Sequence, residues 1–166
     1  QNVIIADVAE ADKPAIQKIL DEFKVSEHTE GASLIRKNAI ACVALPTCPL
    51  ALAEAQRYMP TLLGKIEPLL QSHGLAQENI VIRMTGCPNG CGRPYAAEIG
   101  FVGTAPGHYN LHIGGDHQGQ RLNTLYKESL DEAGILTTLD ELFGLFKNER
   151  NTAEHFGDFV MRRQLV

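Results

Sequence analysis

Residues 80–92 read Ile-Val-Ile-Arg-Met-Thr-Gly-Cys-Pro-Asn-Gly-Cys-Gly, and this stretch decides how the rest of the chain is interpreted. Its first part, Ile80 to Met84, has the apolar and β-branched content that predicts a buried strand. Residues 85–92 hold too much glycine and proline for regular structure. Cys87 and Cys91 are therefore predicted to lie on a tight turn at the end of a strand.

The other two cysteines, Cys42 and Cys48, stand in a similar setting earlier in the chain. The run from Ala39 to Leu45 has the length and β-branched content of a buried strand, and it stops at Pro46. Pro49 is predicted to open a helix, because proline is favoured at the first helical position. Cys48 would then cap that helix, whose positive dipole end would favour the thiolate form.

Taken together, the cysteines form a Cys-x5-Cys pair and a Cys-x3-Cys pair. Four thiolates from two loops can surround one metal centre if the loops meet at the same end of a sheet. Glycines at 86, 90 and 92 would let the backbone approach that centre closely, since glycine has no Cβ and tolerates positive φ. The pattern favours an iron–sulfur site.

Three alternative roles for the cysteines remain open. Two disulfides are disfavoured because no secretory signal is visible and cytosolic thiols stay reduced. A structural zinc site usually spaces its ligands as Cys-x2-4-Cys, so the five-residue gap between Cys42 and Cys48 is awkward for it. Packing of unliganded cysteines does not account for the flanking proline and glycine residues.

The remaining pattern predicts a mixed α+β fold, with a sheet of about four or five strands flanked by helices and both cysteine loops at one end. Near the N-terminus the pattern predicts a strand at Val3–Ala6, a helix with apolar residues at Ile16, Ile19, Leu20 and Phe23, and a polar linker from Lys24 to Gly31. A helix is predicted at Thr61–His73, with a kink or restart at Pro68 and a stop at Gly74. A β-hairpin of Ala96–Val102 and Tyr109–Ile113 and a helix at Leu136–Phe146 are predicted after it. The end, Phe156–Val166, is left unassigned.

Composition limits the function classes. A chain of 166 residues with 44% hydrophobic content has room for one ordinary core. The formal net charge of -5 argues against nucleic acid as a partner. The absence of a long apolar run and of a secretory signal leads us to expect a cytoplasmic protein that does not cross a membrane. Because Gln1 is not methionine and an apolar run begins almost at once, we expect a piece of a longer protein.

Two further groups of residues could be taken for functional sites. His108 and His112 lie four apart, but Tyr109 to Leu111 is predicted to be a strand, so we interpret them as an ordinary histidine pair. The acidic residues between Asp131 and Glu149 are spread along a helical region and are interpreted as a solvated face.

The segment Thr85 to Arg93, together with Cys42-x5-Cys48, resembles the signature of the siroheme and [4Fe–4S] sulfite and nitrite reductases. The likeness extends through Ala97 to Gly103, Ala105-Pro106-Gly107 and Tyr109 to His112. In these segments the chain looks like the hemoprotein β subunits of assimilatory, NADPH-dependent sulfite reductases. Nitrite reductases share the cysteine spacing but are less similar in these segments, so a ferredoxin- or NAD(P)H-dependent siroheme nitrite reductase ranks second.

The resemblance implies a role for each ligand. Cys42, Cys48 and Cys87 would bind only irons of a [4Fe–4S] cluster, while Cys91 would also be the axial thiolate of the siroheme iron and the residue closest to catalysis. Asn89 would contact the macrocycle. The implied enzyme reduces sulfite to sulfide with six electrons, for cysteine biosynthesis, and receives them from a flavoprotein α subunit that carries NADPH, FAD and FMN.

The resemblance also implies how the chain is divided into domains and which charged side chains it lacks. Residues 1–30 would be a strand–helix remnant of the preceding ferredoxin-like half-domain, and residues 31–166 the C-terminal domain that binds the cluster and siroheme. Siroheme carboxylates and an anionic substrate require several cations, yet only Arg83 and Arg93 lie near the cysteine loops in sequence. The N-terminal part of the same hemoprotein must supply the others, so we expect this chain alone to lack sulfite reductase activity.

Overall fold

The computed structural model describes residues 4–166 of the chain. The helices are α1 (Lys13–Glu22), α2 (Val25–Glu30), α3 (Leu34–Asn38), α4 (Met59–Ser72), α5 (Glu132–Glu149) and α6 (Phe156–Arg162). The strands are β1 (Ile40–Ala41), β2 (Ile82–Thr85), β3 (Ile99–Ala105), β4 (His108–Ile113) and β5 (Thr124–Leu130). Short 3-10 turns occupy Glu10–Asp12 and Pro94–Ala96. Among the described helices, none is both long and apolar enough to cross a membrane.

The five strands form one mixed sheet in the order β1-β2-β3-β4-β5. Strands β1, β2 and β3 are parallel to one another, and β3, β4 and β5 form an antiparallel meander. Parallel neighbours need a long crossover connection, and α4 lies in the crossover from β1 to β2. The predicted class, a mixed sheet of four or five strands flanked by helices, is confirmed.

One face of the sheet carries the core. The register places Ile82 beside Ile99 and Met84 beside Phe101, and since strand side chains alternate, all four lie on the same face. These side chains form one apolar cluster with buried residues of the helices, which include Leu62, Ile66, Leu139, Phe143, Phe146, Phe156 and Phe159. Helices α4, α5 and α6 therefore cover this face.

The opposite face is covered by the connection from β2 to β3, residues 86–98, which crosses the sheet without an α-helix. A Cβ on Gly100 of β3 would lie 2.4 Å from the carbonyl oxygen of Pro94 in this connection. On the same face, His112 of β4 packs edge-on against Tyr95, with ring centroids 5.2 Å apart. The connection carrying the second cysteine pair is thus pressed flat against the sheet.

The predicted helix after Pro49 is wrong, and Cys48 is not a helix cap: residues 49–58 are turns and bends, and α4 begins only at Met59. The reason is a tertiary contact, because the N–H groups of Leu52 and Ala53 both donate to the carbonyl oxygen of Gly86, at 2.8 and 3.0 Å. Strong helix formers are held out of a helix by these bonds to the neighbouring loop.

The N-terminal part also differs from expectation. Val3 lies outside the described residues, and Ile4 and Ile5 are not in a strand and are 87% and 52% exposed. The expected helix is α1, which confirms the pattern of residues 16–23. The stretch expected to be a linker, residues 24–31, instead contains the short helix α2.

Elsewhere the differences concern boundaries and additions. The strand expected at residues 39–45 is reduced to β1, since the chain turns immediately after it. Helix α4 runs through Pro68, and Gly74, with φ of +68°, follows its end as expected. The predicted hairpin is β3 and β4, and the predicted helix at residues 136–146 is the middle of α5. Strand β5 and helix α6 were not predicted.

Candidate functional site: two cysteine loops at one edge of the sheet

The first cysteine loop, residues 42–48, leaves the carboxyl end of β1. The N–H of Cys42 still donates to the carbonyl oxygen of Met84 in β2, at 3.2 Å. The chain then turns sharply at Ala44, whose φ is +49° and whose carbonyl oxygen accepts from the N–H groups of Thr47 and Cys48. This tight turn brings Cys48 back toward the strand end from which Cys42 departs.

The second cysteine loop, residues 86–92, leaves the carboxyl end of the adjacent parallel strand β2. It turns at Gly90, whose φ of +71° is in the left-handed region that glycine tolerates best. Gly92 then returns to the strand, where an added Cβ would lie 2.2 Å from the carbonyl oxygen of Met84 and 3.2 Å from the backbone nitrogen of Cys42. The residue after Cys91 therefore lies directly against the start of the first loop.

The two loops are bonded to each other through backbone and sulfur. The Sγ atom of Cys42 accepts hydrogen bonds from the N–H of Gly86 at 3.3 Å and from the hydroxyl of Thr85 at 3.4 Å. An added Cβ on Gly86 would lie 2.6 Å from the Cβ of Ala44, so glycine is required for this close approach. These contacts fix the position of the Cys42 sulfur between the two loops.

Exposure varies among the four thiols. Cys87 is buried, Cys42 and Cys48 are half-buried, and Cys91 is exposed; all four are free of disulfide bonds. Asn89 is exposed on the same loop as Cys91. Cys87 is therefore enclosed by this domain, whereas Cys91 faces outward. This arrangement suits a bound group that lies between this domain and a second surface.

Zinc and a larger cluster make different demands on the spacing of sulfur atoms. A tetrahedral zinc with Zn–S bonds of about 2.3 Å holds its sulfurs about 3.8 Å apart. Within residues 4–166, no three cysteine sulfurs lie within 4.8 Å of one another. The sulfurs are therefore not arranged as a preformed single-ion site. Four free thiols on two adjoining loops are the donor set that a [4Fe–4S] cluster takes.

Three arginines adjoin the loops. Arg57, which sequence reasoning missed, donates to the carbonyl oxygen of Leu45 in the first loop at 3.2 Å. Arg83 on β2 donates to the carbonyl oxygen of Ala96 at 3.2 Å, and its buried Nε has no hydrogen-bond partner. Burial, with the nearby charge of Arg93 as a second cause, lowers the pKa of Arg83 below its ordinary value. Arg93 is exposed beyond the second cysteine loop.

The other residues singled out in the sequence lie outside the cysteine loops. His108 opens β4 and its ring contacts the carbonyl oxygen of Pro106, while burial lowers the pKa of His112 below its ordinary value. In the acidic stretch, Asp131 caps α5 through the N–H of Gly134, and Glu132 pairs with Lys65.

A second cluster of polar side chains was missed by sequence reasoning. Glu98 is completely buried, and its carboxylate lies beside the imidazoles of His117 and His155. These residues come from three separate parts of the chain, with no spacing motif to connect them. No sequence signal could have found the cluster.

The fold and the two loops thus define an α/β domain with four free thiols at one edge of a mixed sheet. No model of a protein family matches the chain. It is 59% identical to a sulfite reductase [NADPH] hemoprotein β-component of Leptospira biflexa, over 98% of this chain and 29% of that protein. Proteins of the same name from Afipia carboxidovorans and Staphylococcus carnosus are 55% and 54% identical over 100% of this chain.

Among solved structures, the chain is similar to the NirA protein of Mycobacterium tuberculosis, with a TM-score of 0.69 and 24% identity over 95% of this chain and 30% of that one. At this identity the match concerns the fold alone. The chain spans just under a third of the length of the curated relatives it matches. It is homologous, over essentially its whole length, to part of the sulfite reductase hemoprotein β-component, which confirms the resemblance seen in the sequence.

Proposed function

We propose that this chain is the C-terminal, cluster-binding part of a sulfite reductase hemoprotein, an oxidoreductase component that reduces sulfite to sulfide in assimilatory sulfur metabolism. The observation that carries the proposal is the position of the four thiols, in two hydrogen-bonded loops at the carboxyl ends of adjacent parallel strands. Identity of 52–59% to proteins named sulfite reductase supports sulfite over nitrite as the substrate.

In this proposal Cys42, Cys48, Cys87 and Cys91 hold a [4Fe–4S] cluster, and Cys91 is shared with siroheme, which Asn89 contacts. When bound, the cluster and siroheme supply electron transfer and the iron at which sulfite is reduced. The protein's part is to hold the thiols in place. Hydrogen bonds from Gly86 and Thr85 fix the Cys42 sulfur, and backbone bonds between the loops fix the loops themselves.

The exposure of Cys91 supports its assignment as the shared ligand. A thiol that binds only the cluster can be enclosed by this domain, as Cys87 is, but a thiol shared with a second cofactor must face outward. Asn89 is exposed on the same loop and can reach a group that lies over Cys91.

The remaining part of the longer hemoprotein is the first partner we propose. Arg57, Arg83 and Arg93 are too few to neutralise the siroheme carboxylates and sulfite, so the other cations come from the N-terminal part. The division at residues 30 and 31 is consistent with burial, because residues 4–30 contain no buried side chain among those described, whereas Ile35 of α3 already belongs to the core. The name β-component points to a second subunit, which we propose is a flavoprotein using NADPH, FAD and FMN in the cytoplasm.

Anaerobic reconstitution of the chain with iron and sulfide tests the cluster. We expect about four irons and four acid-labile sulfides per chain, as a [4Fe–4S] cluster contains. Cys42→Ser should lose most of this iron, while the matched change Val43→Ser, next to it at a half-exposed position, should not. Equal iron in both variants, or one tightly held zinc in place of iron, would contradict the proposal and favour a non-catalytic zinc module.

Activity of the chain alone tests the need for the N-terminal part. With siroheme, a chemical reductant and sulfite added, we expect no sulfide production from the reconstituted chain, because the cationic shell is incomplete. Sulfide production at the rate of an intact hemoprotein would show that these 166 residues suffice.

A further inference from the structure

The cluster of Glu98, His117 and His155 lies where three separate elements meet. Glu98 directly precedes β3, His117 lies in the connection between β4 and β5, and His155 precedes the first residue of α6. One ligand atom from each residue lies within 4.8 Å of the other two. Glycines make the convergence possible, because an added Cβ on Gly157 would lie 1.7 Å from the carbonyl oxygen of Gly115.

Glu98 is held in a fixed position at the centre of the cluster. Its side chain is completely buried, and it accepts hydrogen bonds from the N–H groups of Val81 at 2.9 Å and Gly157 at 3.0 Å. Among the ion pairs of residues 4–166, its partner is the His117 ring at 3.1 Å, and no lysine or arginine pairs with it. A buried carboxylate without a cation is costly, so the site favours a positive charge beside Glu98.

The two imidazoles complete a donor set and leave it open to solvent. The rings of His117 and His155 are stacked, with centroids 4.2 Å apart and planes 10° from parallel. Both rings line a cleft of about 250 Å³ together with Asp116, Gln118, Arg121 and Asp158. In this cleft Arg121 pairs with Asp158 at 2.7 Å, so its charge is already matched.

We propose that Glu98, His117 and His155 bind a divalent transition-metal ion such as Zn²⁺, with the open cleft supplying water as the remaining ligand. One carboxylate and two imidazoles are a donor set that such ions prefer. Bound nitrogen and oxygen atoms stand about 3.4 Å apart around a tetrahedral ion. The His117 ring nitrogen already lies 3.1 Å from the Glu98 carboxylate. Parallel rings cannot direct their lone pairs at one point, so binding requires the exposed ring of His155 to tilt.

The ion would hold the connection before β5 and the residue before α6 against Glu98, the residue before β3. This role is independent of the cysteine loops and of the function proposed for them. A metal at this site would be structural if its water stays bound and would be reactive only if the cleft admits a substrate.

Zinc titration of the full chain, followed by NMR of the imidazole nitrogens, tests the site without interference from the thiols, because cysteine ligation does not move histidine ring signals. Once the thiols are filled with zinc, we expect the ring nitrogen signals of His117 and His155 to shift together. Both shifts should be complete when one further zinc ion is bound per chain. His155→Asn should weaken the binding seen at His117 at least about ten-fold. Asparagine suits the residue before a helix, so this variant keeps the fold.

His108→Asn is the matched control, since His108 is an exposed histidine at the start of β4, whereas the strand's other end, Ile113, pairs with Ile99 beside Glu98. It should leave the His117 shift unchanged. The proposal is overturned if the two rings do not shift, if His155→Asn leaves the response of His117 intact, or if half-saturation requires more than about 1 mM zinc, the range of adventitious binding. His117→Asn provides a second variant, in which the shift of His155 should be lost.

Discussion

The cysteine loops and the Glu98 cluster are two polar sites built in opposite ways. Each cysteine loop is a short continuous segment that follows a strand, and the second loop also carries glycines at 86, 90 and 92. The Glu98 cluster assembles from three distant segments, and its central carboxylate is fixed by backbone N–H groups rather than by its sequence neighbours. A site made by local turns is therefore visible in a sequence, whereas a site made by packing of elements is not.

From this contrast we expect the cysteine loops to depend most on space for the backbone. Gly92→Ala places a Cβ 2.2 Å from the Met84 carbonyl oxygen, so we expect a loss of at least about 3 kcal/mol in the free energy of unfolding and loss of iron incorporation. Urea denaturation measures the first and iron analysis the second. Gly64→Ala, in α4 with only the flexible Arg36 side chain at 3.4 Å, is the control and should cost nothing.

If Gly92→Ala unfolds as wild type does and still takes up iron, close approach of the loops is not what forms the site. The contrast between the two sites would then lose its physical basis.

The Glu98 cluster should depend on hydrogen-bond acceptors instead. Glu98→Ala leaves the buried N–H groups of Val81 and Gly157 without partners, and we expect it to lower the free energy of unfolding by about 2–3 kcal/mol. Glu98→Gln keeps one acceptor and should cost roughly half as much. Denaturation of both variants gives the comparison; equal stability of wild type and Glu98→Ala would show that this carboxylate fixes nothing.

A smaller effect concerns Glu154, which precedes His155 and pairs with Arg162 at 2.6 Å. The hydrogen bond from Arg162 lowers the pKa of Glu154 to about 2, against an ordinary value of 4.5. A lowered pKa in the folded state stabilises above the unfolded value, and this contribution is lost as the pH falls from about 4.5 toward 2. Because Arg162 is partly exposed, we expect about 1 kcal/mol or less.

Stability measured against pH tests this pair. Glu154→Gln should flatten the curve between pH 4.5 and 2, whereas Glu128→Gln, at an exposed position on β5, should not. Parallel curves for wild type and Glu154→Gln would contradict the assignment.

The smallest effect is expected for His155→Asn in metal-free buffer. The stacked and exposed ring contributes little to the folded state, and asparagine can cap α6, so the free energy of unfolding should change by less than about 0.5 kcal/mol. Zinc added beyond the amount that fills the four thiols should then raise the melting temperature of wild type further, but not that of the variant. A large loss without metal would mean that His155 supports the fold rather than a ligand.

Much of the fold follows from sequence because local patterns agree with the tertiary structure there. Residues 80–92 give a strand and a turn, and the hairpin of β3 and β4 follows from its turn residues. The same agreement accounts for the proposed ligand set, since both cysteine pairs directly follow strands. Where the local sequence pattern and the tertiary structure agree, the local pattern is sufficient to predict the element.

The failures have physical causes of two kinds. Residues 49–58 have helical propensity, but hydrogen bonds from Leu52 and Ala53 to Gly86 hold them in an irregular path. Ile4 and Ile5 have strand propensity, but they pair with no strand among the described residues. Strand β5 escaped prediction because Lys127, Glu128 and Ser129 break its apolar pattern at the sheet edge.

The outward position of Cys91 has a consequence for how the protein must be handled. Oxygen and alkylating reagents reach an exposed thiol before a buried one, so Cys91 is the first of the four to be converted to sulfenic acid in air, and Cys87 the last. A single such lesion removes one donor from a set of four. Preparation without oxygen therefore protects Cys91 above all. Mass spectrometry of Cys91 measures what fraction of the sample has been oxidised.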